Sequence, residues 1–91
     1  MQNTIVVTQG AYGFGHEWTL KAFGKSFFLG QDVKFCSRIL GLSPREVVQE
    51  VGTNRFDTEE GLTKLADFIV DKLELTEEAA KGLETWELCA Q

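Results

Sequence analysis

The side chains best suited to covalent or metal chemistry are a single histidine, His16, and two cysteines, Cys36 and Cys89. A thiolate beside an imidazole makes a nucleophile–base pair. Such a pair also needs an orienting group and an oxyanion site, and the spacing of His16 and Cys36 supplies neither. A metal needs three or four ligands at suitable intervals, which three widely separated residues do not provide. Cys36 reads as a small core residue on its helix, and Cys89 as a residue of a fraying last turn. Gly24-Lys25-Ser26 matches the end of a phosphate-binding loop. Thr19, however, stands where that pattern requires its first glycine. Phe27-Phe28-Leu29 reads as strand where a helix would have to aim N–H groups at the phosphate. Gly10, Gly13 and Gly15 are in the wrong order for a dinucleotide fingerprint, and no βαβ unit surrounds them. No catalytic, cofactor-binding or metal residues are expected, and the chain reads as non-enzymatic.

What remains is binding, and charge is the strongest signal for it. Residues 1–55 hold six basic and four acidic side chains, a balance of +2, whereas residues 56–91 hold three basic and ten acidic, a balance of −7. A split of this kind is information about partners more than about fold. The acidic residues of the second half recur at helical spacing. Glu60, Lys64, Asp67 and Asp71 fall on one outer face, and Glu77, Glu84 and Glu87 give the last helix the same character. One reading is a solvated surface that keeps the protein soluble. The other is a docking face for a protein partner with a basic surface, where complementary charge speeds encounter and fixes orientation. A second contact is expected from the loop Gly10–His16, where Tyr12 and Phe14 alternate with glycines, because aromatics bury much area with few rotors. Trp18, just beyond, is expected to plug the core. The net charge of −5 disfavours indiscriminate nucleic-acid binding.

Residues 35–51 run Phe-Cys-Ser-Arg-Ile-Leu-Gly-Leu-Ser-Pro-Arg-Glu-Val-Val-Gln-Glu-Val. A helix, a glycine turn and a capped helix in this order resemble the helix-turn-helix DNA-binding family. Ser37 stands at the family's small residue, Gly41 at its turn glycine, Leu42 and Ser43 at its apolar and capping positions, and Val47 at a core position of the second helix. The segment departs from the family at Glu50, where a core residue is expected, with Val51 one place late. The resemblance implies a DNA-binding regulator as the alternative function, using Arg38, Arg45, Gln49 and Arg55, with the acidic helices serving for dimerisation. An ordinary helical hairpin produces the same text and is the preferred reading.

The elements that must position these residues are legible in outline. Thr4–Thr8 is a β-branched run, Glu17–Phe23 alternates apolar and polar, and Ser26–Leu29 follows a Gly24-Lys25 turn, so the first 29 residues read as a small antiparallel sheet of two to three strands. A helix is expected from near Gln31, with Val33, Cys36, Ile39 and Leu40 inward and Gly41 closing it. Ser43, Pro44 and Glu46 form a capping box with proline at the first helical position, Leu42 and Val47 its hydrophobic staple, and Gly52 stops that helix. Thr58 caps a longer helix with Leu62, Leu65, Ala66, Phe68, Ile69 and Leu73 inward. Thr76 caps a last one with Ala79, Leu83, Trp86 and Ala90 inward. The expected fold is one α+β domain over residues 1–91, a sheet part over 1–29 and four helices over 31–90. No apolar run approaches the ~20 residues of a membrane span. No basic flank precedes Ile5-Val6-Val7, so no signal peptide is expected. With only two cysteines a reduced, cytoplasmic setting is the simpler expectation. The function expected is a small protein-interaction module, one form of it an inhibitor or adaptor of a nucleic-acid-handling machine of phage or mobile-element type. No oligomeric state is read from the sequence.

Overall fold

The computed structural model describes residues 3–10, 15–31 and 34–82. Strands β1 (Thr4–Gln9), β2 (His16–Ala22) and β3 (Lys25–Gln31) form an antiparallel sheet in the order β1-β2-β3. Four helical segments follow: α1 (Cys36–Leu40), α2 (Pro44–Val51), α3 (Glu59–Lys72) and α4 (Glu77–Lys81). This is the small α+β fold that the sequence predicts.

Pleating sorts the strand residues by face. Ile5, Leu20 and Phe27 are opposite one another across the three strands, and all three are buried. The row Val6, Thr19 and Phe28 belongs to the other face, where Val6 is 38% exposed. Among the described residues, therefore, helices cover one face only, the usual arrangement for an antiparallel sheet. α3 lies on that covered face, chiefly over β1, and presses Leu65, Ala66 and Ile69 inward. Burial of side chains such as Leu65 and Ile69 contributes about 1.5–3 kcal/mol each. Ala22, Leu29, Phe35, Cys36, Leu40, Val47 and Ala80 complete the core among the described residues.

Helix ends follow their caps. Ser43 Oγ accepts from the Glu46 N–H while Glu46 Oε1 accepts from the Ser43 N–H, a complete capping box with Pro44 at the first helical position. Thr58 and Thr76 cap α3 and α4 through their hydroxyls. Gly41 and Gly52 close α1 and α2 in left-handed conformations.

Four details differ from the expectations above. The hairpin turn is Phe23-Gly24, not Gly24-Lys25; both residues have positive φ, as a two-residue hairpin loop matched to strand twist requires. Gln31 ends β3 instead of beginning a helix, because its partner Glu17 extends the ladder. α1 is a short π-helical turn, with the Gly41 and Leu42 N–H groups both donating to the Cys36 carbonyl. In α4 it is Ala80 that is buried, and Ala79 is exposed. Leu75 precedes the cap and Ala80 lies in the fourth helical position, so the two act as a staple that sets the helix's rotation. Lys25 Nζ donates to the Ala80 carbonyl at 2.6 Å and holds that rotation. Leu83, Trp86 and Ala90 lie outside the described residues, as does Val33.

Candidate interaction surface

α3 is amphipathic, so the residues that interrupt its buried stripe point outward. Glu60, Lys64, Asp67 and Asp71 are all exposed, on the face that the spacing predicts. They are not electrostatically alike. Glu60 Oε1 lies 3.4 Å from Lys64 Nζ, and the same residues share a surface cleft of about 340 Å³ with Arg55. The Glu60 end is therefore of mixed sign. Both side chains of that pair are more than half exposed, at 83% for Glu60 and 53% for Lys64, which limits the pair to about 0–1 kcal/mol. Asp67 and Asp71 have no ion-pair partner among the described residues. Asp67 Oδ1 instead accepts from Asn3 Nδ2 at 3.2 Å, a neutral contact that leaves its charge in place and ties α3 to the start of β1. Glu77 is exposed in the first turn of α4. Tyr12, Phe14 and Glu84 lie outside the described residues, as do Glu87 and Cys89.

The four residues implied by the helix-turn-helix resemblance are separated by their surroundings. Arg45 and Gln49 are exposed one turn apart on α2, beside exposed Glu46 and Glu50. Arg55 is exposed between α2 and α3, and its carbonyl accepts from Thr58 Oγ1. Arg38 is committed elsewhere, its Nη2 donating to the Leu29 carbonyl. That carbonyl belongs to a residue skipped by the ladder, since Trp18 pairs with Gly30 and Thr19 with Phe28. Gly30 has φ +126°, and a Cβ there would run into the Arg38 guanidinium. Arg38 thus closes a β-bulge. Ser37 is exposed, its hydroxyl donating to the Leu42 carbonyl at 3.4 Å.

His16 is exposed at the start of β2, whereas Cys36 is buried, and burial pushes its thiol up from the ordinary range. A raised pKa keeps the thiol protonated and unreactive at neutral pH. Among the described residues no three His, Cys, Asp or Glu side chains gather as a metal site requires, and no helix is long and apolar enough to cross a membrane.

One feature escapes the sequence reading. Trp18 is only half-buried, and its ring packs against Phe35 with centroids 5.6 Å apart. Beside it is an apolar cavity of about 150 Å³, bounded also by Cys36, Val47, Phe56 and Leu65. The Trp18 Nε1 is buried and has no acceptor among the described residues. Phe56, lone in the polar segment between α2 and α3, was the available signal, since an isolated aromatic there needs an apolar place to go. Comparison with protein-family models, curated proteins and solved structures finds no match to this chain.

Proposed function

We propose that this chain is a small non-enzymatic interaction module that docks on a basic surface of another protein through the acidic face of α3. The observation behind this reading is the pair Asp67 and Asp71, exposed one turn apart and without counter-ions among the described residues. Uncompensated carboxylates on a rigid helix attract and orient a basic partner. Glu77 extends the negative field, Glu60 marks its edge where Lys64 compensates it, and the Tyr12 and Phe14 segment is assigned the apolar part of the contact. A surface that binds phosphate backbones has the required basic character, so an inhibitor or adaptor of a nucleic-acid-handling machine is the form we favour. A cytoplasmic setting accords with Cys36 as a free thiol. The alternative, a DNA-binding regulator, is weakened by the engagement of Arg38 with the sheet.

The test is affinity capture from the native cell, repeated with Asp67→Lys/Asp71→Lys. The variant is expected to lose at least about tenfold in partner affinity, equivalent to about 1.4 kcal/mol. Both sites are exposed, so stability should fall by no more than the loss of the Asn3 bond, about 0.5–1.5 kcal/mol. Full partner binding by the variant would overturn the proposal. Salt-sensitive binding of random duplex DNA by the parent would favour the regulator instead.

A further inference from the structure

We propose that the open edge of β1 receives an extended basic segment of the partner protein as a fourth strand. This rests on the docking reading above and adds its mode. Among the described residues β1 pairs only with β2, so one side of Thr4–Gln9 offers unpaired backbone donors and acceptors. Natural sheets blunt such edges with charge, proline, bulges or covering elements. β1 reads Thr-Ile-Val-Val-Thr-Gln, with no charge, proline or glycine, and its register with β2 is unbroken. The opposite edge is interrupted: β3 slips register at Leu29, and Arg38 bonds the carbonyl left over.

The surroundings of the edge select the occupant. The Asn3–Asp67 bond sets Asp67 beside the beginning of β1, and Asp71 follows one turn along the same helix. Joining β1 to β1 of a second copy would bring two such acidic helices toward one another, which like charge opposes. A segment with Lys or Arg at alternate positions gains where the second copy loses. Its intervening side chains meet the open face, where Val6 is exposed and Phe28 continues the row. Backbone pairing supplies affinity in this mode, and alternate side chains supply selectivity.

The experiment uses the full chain and a synthetic peptide of alternating Lys and Val, about six residues long to match a typical strand. A second peptide has the same side chains but is N-methylated at alternate residues. It keeps the charge and cannot complete the ladder. The unmethylated peptide is expected to slow hydrogen exchange of the outward β1 amides by at least about tenfold at saturation, and to bind at least about tenfold more tightly than its methylated form. Equal binding of both peptides, weakened in both by Asp67→Lys/Asp71→Lys, would leave the acidic face standing and overturn strand addition. Binding of neither peptide would overturn it as well. Outward β1 amides already slow in the free protein would show the edge occupied, and sedimentation would then tell a second copy from this chain's own residues; either result overturns the proposal.

Discussion

At the scale of single residues, the bulge of β3 shows how one backbone irregularity dictates two side chains. Skipping Leu29 in the ladder leaves its carbonyl without a strand partner, and Arg38 supplies the donor. The guanidinium can approach only because residue 30 has no Cβ, and φ +126° at that position disfavours any other residue. Gly30→Ala should therefore lower stability by about 1–3 kcal/mol, through strain at positive φ and displacement of the Arg38 guanidinium from its bond. Arg38→Ala should cost about 1–2 kcal/mol for the lost charge-assisted bond. The two should not add: with Arg38 gone the overlap disappears, so the double variant should be more stable than the sum predicts. Urea denaturation of the four proteins measures this, and strict additivity would show that the two residues do not meet. Cys36 gives a second residue-scale prediction. Desolvation raises its pKa, so the folded state binds the thiol proton more tightly than the unfolded chain. That contribution to stability is complete below the ordinary thiol pKa of about 8.5 and is lost as pH rises through the raised folded value. Thermal midpoints taken across that range should fall more steeply for the parent than for Cys36→Ala. Parallel curves would mean that the thiol titrates as freely in the fold as outside it.

At the scale of elements, local chemistry decides where helices start. The Ser43 box satisfies two orphan N–H groups on an eight-residue helix too short to persist alone. Ser43→Ala should cost about 1 kcal/mol, and Ser43→Asp should restore most of it; calorimetric midpoints for the three proteins decide the matter. An alanine variant as stable as the parent would mean that packing of Val47 alone holds the helix. These caps were readable because each lies within a few residues of the group it satisfies. The same holds for the sheet's inward alternation at Leu20 and Ala22, and for the outer face of α3. The parts that were not readable depend on residues distant in sequence. Gln31 stays in strand because Glu17 pairs with it. Ala80, not Ala79, turns inward because Leu75 and Lys25 fix the rotation of α4. Arg38 looked like a free cation until a skipped carbonyl nine residues earlier claimed it. Gly61 is a further case, since a Cβ there would overlap the Arg55 carbonyl, a contact set by the path of the preceding loop. The candidate site was legible as a charge pattern. Which of its carboxylates keep their charge uncompensated was not, since Glu60 meets both Lys64 and the cleft shared with Arg55.

At the scale of the whole molecule, a net charge of −5, with one ion pair among the described residues, sets folding and the proposed docking in opposition. Unpaired carboxylates repel one another in the compact state, and salt relieves that repulsion. Association with the proposed basic partner draws on the same field acting outward, and salt weakens it. Raising ionic strength from about 0.02 M to 0.5 M shortens the Debye length from about 20 Å to about 4 Å, below the spacing of most surface charges. The thermal midpoint should hold or rise slightly over this range. The association rate with the captured partner should fall at least about tenfold, with a much smaller change in dissociation rate. Asp67→Lys/Asp71→Lys should flatten both responses, because it lowers the net charge and removes the pair whose field is least compensated. A midpoint that drops with salt would mean that attractive ion pairs dominate the surface. In that case the carboxylates are already neutralised within the fold, and the acidic face has little field left to offer a partner.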